Sequence, residues 1–506
     1  MRLTRPALIL RWVGAVAGAA YVVYVVARWH DLVTNNNWDT DAVAKMVVAE
    51  RLRGSGPVFI SHYGEWTTLL WMLATRWLSW HHDLWGVSGY AWILAGAAVL
   101  AWTTSRVAGL WSGLTAAAAM LVVGPFALRS YIATTGAHTT STVAAIVLAA
   151  VLVALVRRPR VALALAGGVF AGACAASDPL LWFGGIVPFA IAVVVLRRRR
   201  DFVVRAATLV GVAVVTAIVT NTVMHALDFH VEGLGVSLAA VRDLPHNVAH
   251  LARESVLLGG ANYALPGAYP REPLRILVAL LVLAAFATPL VAAFRSRRAD
   301  DVTRVYTLYW ATAVVVLCAA FVATPNATAL GPKSLNYLLT LLPAAGVGVA
   351  LLARSARAQA FVAGCVAFVA VVNVASIHNG RAEVTGVVAL PQHAGEIVRA
   401  LDRAGATRGY AGYWDALNLT WQTDMHLVVA PVNNCADTLC PNKLFTISSW
   451  YAPRGGPTFL LVDATLPLIH APPYAKTAQQ KLRFGPLTLY VFNRDIAYRF
   501  RGVAAS

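Results

Sequence analysis

Apolar runs long enough to cross a membrane recur along the whole chain, and nothing else in it constrains the fold so strongly. A bilayer core of about 30 Å takes about 20 apolar residues per helix, and its backbone polar groups must be satisfied without water. Eleven such runs can be read, at residues 7–27, 85–105, 110–127, 138–156, 161–176, 180–196, 203–223, 274–294, 304–323, 335–353 and 358–376. Charged residues make up 13% of the 506, against about 25% in an ordinary soluble domain. Mean hydropathy is +0.64. The chain is expected to be a polytopic α-helical membrane protein with about eleven transmembrane helices.

A net charge of +18 would point to nucleic acid in a soluble protein; the placement of the charges excludes that here. With the N-terminus in the cytoplasm, the cytoplasmic ends are residues 1–11, 106, 157–160, 197–205, 295–304 and 354–357. They hold 18 of the 41 Lys and Arg and only three acids, Asp201, Asp300 and Asp301. This is the positive-inside pattern. Membrane lipid is the partner it implies, and no nucleic acid is expected, since no basic face interleaves with aromatics. The first run outlasts a signal-peptide core and continues through Tyr21 to Ala27, so it reads as a retained anchor. An odd number of spans puts the C-terminus outside. Cys174, Cys318 and Cys365 fall in spans and read as packing residues. Cys435 and Cys440 fall in the outer tail, where a disulfide between them is expected.

Three hydrophilic regions lie on the side opposite the arginine runs. The first, 28–84, contains Trp38-Asp39-Thr40-Asp41. A helix is expected from near Asp41 to Arg53, stopped by Gly54-Ser55-Gly56-Pro57, its mixed charges keeping it on the membrane surface. A second helix is expected to carry Trp66, Leu69, Leu70, Leu73, Trp77 and Trp80 on one face, as an interfacial helix does. The second region, 224–273, is polar and holds His225, His230, His246, His250, Glu232 and Glu254. The third, 377–506, reads as an α/β domain large enough for its own core. A helix from Glu396 to Ala404 is ended by Gly405, and strands are expected at 410–413, 426–429, 459–462 and 487–492. The expected organisation is a transmembrane domain over 1–376 and an extracytoplasmic α/β domain over 377–506.

The sharpest chemical feature is the pair of acids that follows the first span. Asp39 and Asp41 flank Thr40 beside Trp38, and burial at an interface shifts a carboxylate's pKa in the direction a general base needs. Asp41 also stands where a helix N-cap would be. The segment Trp38-Asp39-Thr40-Asp41-Ala42-Val43-Ala44, with Gly54 fifteen residues after Asp39, resembles the first outer loop of GT-C glycosyltransferases. His62-Tyr63-Gly64-Glu65 and the Trp-rich stretch occupy the places of that superfamily's next elements. Gly409-Tyr410-Ala411-Gly412-Tyr413-Trp414-Asp415-Ala416 resembles the start of the soluble domain in bacterial members. The nearest groups are the protein O-mannosyltransferase-like enzymes and the bacterial lipid A aminoarabinose transferase.

The resemblance implies a bacterial cytoplasmic (inner) membrane enzyme and a polyprenyl-phosphate sugar donor. The acceptor would be a cell-envelope glycan, lipid or protein at the outer face. Asp39 would take the acceptor's proton in an inverting transfer, and Asp41 would orient it. His62 and Glu65 would line the cavity, although the lysine that the family places after this glutamate is missing here. A phosphate at the membrane face needs charge-assisted partners. Arg129, beside Ser130-Tyr131, and Lys333, in Gly331-Pro332-Lys333-Ser334-Leu335-Asn336-Tyr337, are the candidates, with Tyr337 beside them. Both cations would also serve as span-end anchors. Asp178, in Ser177-Asp178-Pro179, is a near-membrane acid and therefore a functional candidate, or a cap of the next helix. His138 stands where relatives often carry an acid.

A divalent metal at Asp39 with His62 or Asp178 is compatible with this pattern but not demanded by a monophosphate donor. His246 and His250 have the i, i+4 spacing of helical metal ligands, and His81-His82 is another pair, but neither has an assured third ligand. Two other classes compete with a glycosyltransferase. A transporter or flippase of a lipid-linked glycan would place broken helices and ionisable groups near the bilayer midplane in related halves, and no such halves are visible. A non-catalytic cell-envelope assembly protein would keep the same topology.

Overall fold

A computed structural model describes residues 5–36, 40–52, 56–60, 64–132, 138–231, 238–261, 272–325, 331–380, 389–466 and 469–501. Eighteen helices are numbered here in chain order. The first seven are α1 (Arg5–Ala27), α2 (Trp29–Asn36), α3 (Thr40–Arg51), α4 (Trp66–Thr75), α5 (His81–Ala108), α6 (Leu110–Leu121) and α7 (Pro125–Ile132). The bundle continues with α8 (Thr139–Arg157), α9 (Val161–Ser177), α10 (Val187–Val194), α11 (Arg200–Ala226), α12 (Leu244–Leu258), α13 (Glu272–Arg295) and α14 (Asp301–Ala323). A 3₁₀ segment, Gly331–Leu338, precedes α15 (Leu341–Leu352), then α16 (Ala356–Gly380), α17 (Ala389–Ala404) and α18 (Tyr413–Gln422).

By length and composition, seven of these helices can cross a membrane, or eight if the bent pair α6–α7 counts as one span. Shorter apolar helices, Trp12–Ala27, Val161–Ser177 and Trp182–Val194, stand at the three remaining expected positions. The chain is therefore a multi-pass helical membrane protein. Close helix approach takes small residues. A Cβ at Gly172 of α9 would stand 2.4 Å from the Ala213 carbonyl oxygen of α11, and one at Gly168 would stand 2.7 Å from that of Leu209.

Several expectations need correction. The run 110–127 is not straight; it breaks by 95° between α6 and α7. Pro125 opens α7 and cannot continue α6, because it lacks an N–H and its ring clashes with the preceding turn. The Trp-rich helix ends at Thr75, so the stripe divides. Trp66 is buried and donates from Nε1 to Asn221 Oδ1 at 2.8 Å, whereas Trp77 and Trp80 lie beyond the helix and are 79% and 53% exposed. Helix α3 does not run along the surface either. Val43 through Ala49 are all buried, because the C-terminal domain packs on it.

That domain is a mixed α/β sheet. The strands among the described residues are β1 (Val58–Ile60), β2 (Phe229–Val231), β3 (Arg408–Ala411), β4 (Val428–Cys435), β5 (Thr438–Pro441), β6 (Thr446–Ile447), β7 (Thr458–Asp463), β8 (Gln480–Phe484) and β9 (Leu487–Phe492). The six-stranded sheet has the order β5-β4-β3-β7-β9-β8, with β3 parallel to both its neighbours. Helix α17 buries Leu390, Ile397 and Leu401 on it, and Gly405 (φ 65°) ends that helix with the Ala406 N–H on the Leu401 carbonyl. A disulfide joins Cys435 and Cys440 across the β4–β5 hairpin.

A second, three-stranded sheet has the order β2-β1-β6. It takes one strand from each of the three hydrophilic regions, which therefore lie on one face of the bundle, called here the loop face. One apolar cluster runs through them, from Val47, Trp66 and Met72 to Tyr410, Trp450 and Tyr451. Thr40 Oγ1 donates to the Trp414 carbonyl at 2.7 Å, tying the first turn of α3 to the start of α18.

Asp415, next to Trp414, is buried with one carboxylate oxygen unbonded. Burial, and then the charge of Asp463, push it up to about 8. An unfolded Asp titrates near 3.9, so folding takes up a proton between about pH 4 and pH 8. The contribution of this group to stability is present below that window and lost across it as pH rises. Asp415→Asn should therefore melt higher than the parent at about pH 8, with the two converging toward about pH 4. A constant difference at every pH would refute this account.

Candidate active site

Helix α3 carries one charge in the middle of an apolar run, Ala42-Val43-Ala44-Lys45-Met46-Val47-Val48-Ala49. Lys45 is 1% exposed. Its ammonium pairs with the Glu65 carboxylate and lies 5.3 Å from the Phe445 ring centre. An isolated buried ion costs several kcal/mol, so the pair exists because each partner neutralises the other. Burial raises the Glu65 pKa, and Lys45 opposes that shift.

Glu65 has φ 46° and ψ 33°, a left-handed conformation that L-residues rarely adopt. Its N–H donates to the Ser177 carbonyl at 2.7 Å, and its own carbonyl accepts from the Thr68 and Leu69 N–H groups of α4. The Thr67 N–H donates to Ser177 Oγ at 2.8 Å. The last residue of α9 thus fixes the start of α4, and the next residue, Asp178, faces the same centre.

Asp178 is buried and accepts from His138 Nδ1 at 2.9 Å and from the Leu180 N–H at 3.0 Å. Burial works against its charge, but the His138 ring beside it holds the carboxyl below its ordinary range. The two acids are thus driven apart, Glu65 up and Asp178 down, the pattern that separates proton donors from anions in working sites. His138 is itself left-handed, at φ 72°. Two strained non-glycine residues therefore flank Asp178, and such strain concentrates at functional sites.

The polar chain continues. The His138 ring centre lies 4.7 Å from that of Tyr337 on the 3₁₀ segment. Asn336, next along, accepts from Ser130 Oγ of α7, and Arg129 precedes Ser130. Six segments meet here: α3, the start of α4, the N-terminal end of α8, the C-terminal end of α9, α7 and the 3₁₀ segment. A cavity of about 560 Å³ adjoins the cluster, lined in part by Thr67, Trp71, Trp92, Thr139, Thr140 and Cys174.

Of the residues expected from sequence, Glu65, Asp178, His138 and Tyr337 are brought together, with Arg129 one residue from the hydrogen bond to Asn336. Asp39 and His62 lie outside the described residues, as does Glu232. Asp41 is the second residue of α3 rather than its cap, and Lys333 lies on the 3₁₀ segment; their side chains lie outside the described residues. Sequence reasoning missed Lys45, although a lone cation inside an eight-residue apolar run was a readable signal. His250 Nε2 stands 3.7 Å from Glu254 Oε1 on α12, and burial raises Glu254 to about 7.

Removing either partner of the Lys45–Glu65 pair leaves a buried charge, at a cost of about 3–5 kcal/mol. Lys45→Met and Glu65→Gln should each lower Tm strongly, and the double variant should lose much less than the two losses combined. Additive losses would mean that the two groups do not act as a pair.

No protein-family model and no curated protein sequence matches the chain. Among solved structures it is similar to ArnT from Cupriavidus metallidurans in the apo state. The TM-score is 0.50 at 12% identity, over 94% of this chain and 98% of that one. The same ArnT bound to undecaprenyl phosphate gives 0.49 at 12% identity, over 93% and 97%. Along nearly its whole length the chain thus has the fold of ArnT.

Proposed function

We propose that this protein is an inverting glycosyltransferase that moves a sugar from a polyprenyl phosphate to an acceptor on the outer face of the bacterial cytoplasmic membrane. The observation that carries the reading is the buried polar chain from Lys45 through Glu65, Asp178 and His138 to Tyr337, which begins on the helix that follows Asp39 in the sequence. The ArnT fold and the motif resemblance of Trp38–Ala44 support it.

Asp39 is the general base. It takes the proton as the acceptor hydroxyl or amine attacks the anomeric carbon, and the bond from that carbon to the phosphate oxygen breaks on the opposite side. The departing polyprenyl phosphate gains a negative charge, which Arg129 and Lys333 meet, since cations placed where charge develops lower the barrier. The buried cluster holds α3 and α4 in fixed register behind that chemistry. The polyprenyl tail stays in the bilayer and approaches between spans, where burial of each CH₂ contributes about 0.8 kcal/mol. The acceptor comes from the loop face, beneath α18.

In nanodiscs with an undecaprenyl-phosphate-linked sugar, Asp39→Asn should reduce turnover by about 10²–10⁴-fold, the range of a lost acid–base group, while donor binding stays near that of the parent. Lys333→Ala should weaken donor binding more than it slows the bound complex. Near-normal turnover in Asp39→Asn would remove Asp39 as the base and pass that role to Asp178.

A further inference from the structure

A second cluster of titratable side chains lies on the other side of α3. Among the described residues, Glu50, His81 and His82 form the one group of three metal-ligating side chains whose ligand atoms all lie within 4.8 Å of one another. We propose that these three residues bind a divalent transition metal ion of the zinc type, which locks the C-terminal end of α3 to the start of α5. The proposal does not depend on the reaction assigned above.

The argument rests on where the protons must be. His81 Nδ1 lies 2.6 Å from the Leu78 carbonyl oxygen. That oxygen only accepts, so Nδ1 carries a proton and the neutral ring presents a lone pair at Nε2. Nε2 points at Glu50 Oε1, which is also an acceptor. His82 Nε2 lies 3.0 Å from the same oxygen. A carboxylate oxygen and an imidazole lone pair repel unless a cation or proton stands between them. One divalent ion would satisfy all three groups at once. The Leu78 carbonyl then does what outer partners of metal-bound histidines do, fixing the tautomer and aiming the ring.

The ligand set agrees. Two neutral imidazoles and a carboxylate suit zinc and its neighbours rather than calcium or magnesium. Bonds of about 2.0–2.1 Å in a tetrahedron separate ligand atoms by about 3.3 Å, inside the 4.8 Å that bounds this group. Three protein ligands leave a fourth position for water, and the His82 side chain is 42% exposed, which provides a path for entry. Behind the ligands, the Trp85 ring centre lies 4.8 Å from that of His81, and Trp421 of α18 lies 4.9 Å from His82. Lys45 and Glu50 are five residues apart, about 140° around a helix, so one face of α3 meets Glu65 while another meets the proposed ion.

Untagged full-length protein in detergent, stripped with a chelator, is titrated with Zn²⁺ alone and read by bound metal and by Tm. One zinc per chain and a higher Tm are expected, because an ion that binds only the folded state stabilises it. Glu50→Gln and the double variant His81→Ala with His82→Ala should bind at least about tenfold more weakly and lose the Tm rise, while His246→Ala should bind as the parent does. Glu50→Gln keeps the side-chain shape, so a parent-like Tm before zinc is added separates lost ligation from misfolding. No stoichiometric zinc in the parent, or equal affinity in Glu50→Gln, overturns the proposal. So does a Tm that responds to pH between about 5 and 8 but not to zinc, since protons would then hold the imidazoles.

Discussion

A lysine ammonium and a glutamate carboxylate taken out of water against each other form the constraint on which the arrangement of the loop face depends. Each ion alone would cost several kcal/mol, and their attraction offsets this only while the geometry is held. Every element around Lys45 and Glu65 contributes to holding it. The C-terminal domain covers α3, the Ser177 carbonyl and hydroxyl fix the entry to α4, and Trp66 is anchored on α11 through Asn221. A buried pair of this kind is weak evidence for stability, because apolar residues of equal volume often do as well. What it supplies is registration. It sets the rotation of α3 against α4, and α3 is the helix that leads directly out of the Asp39 segment.

The spans were legible because the bilayer leaves a helix few alternatives. Each of the eleven apolar runs falls mainly on helix, and seven of those helices, or eight with the bent pair α6–α7, are long and apolar enough to cross a membrane. Gly405 and four of the six strands of the C-terminal sheet, β3, β4, β7 and β9, were also readable to within a few residues, because helix stops and short β-branched or aromatic runs are local signals, whereas the edge strands β5 and β8 were not. What escaped was non-local. Nothing within Thr40–Arg51 says that a domain beginning hundreds of residues later will cover it, so its charges read as a surface helix. The sheet that joins Val58–Ile60, Phe229–Val231 and Thr446–Ile447 has no signature in any one segment, and the bend at Pro125 shows only that the chain must turn there, not by how much. Similarly, His81-His82 appeared as two ligands without a third until the fold brought Glu50 to them.

The catalytic reading of the sequence fares unevenly for a related reason. Asp178 announced itself only as an acid near a span end, a description that a helix cap also fits, while Glu65 and His138 were picked out by the family resemblance rather than by any local chemistry of their own. Their common role emerges from convergence. Two residues in left-handed conformations, each costing about 1–3 kcal/mol, are tolerated on either side of one buried carboxylate, and their neighbours hold both in place.

Charge bookkeeping in this cluster bears on how the proposed reaction would run. Lys45 with Glu65, and His138 with Asp178, form two pairs that sum to no net charge when all four groups are ionised. An electroneutral cluster cannot by itself draw in a lipid phosphate or stabilise the extra charge that phosphate gains as the sugar leaves. Its service is positional, and the attraction must come from cations outside it. Arg129 and the 3₁₀ segment that carries Lys333 meet the cluster along one edge, through Ser130, Asn336 and Tyr337. In the proposed reaction, that edge is where the donor phosphate belongs. The opposite end, at Lys45, lies on α3, the helix that begins one residue after Asp39 in the sequence. In the proposed reaction the cluster is therefore a neutral backing, with the attracting cations toward one end and the helix that leads from the base at the other.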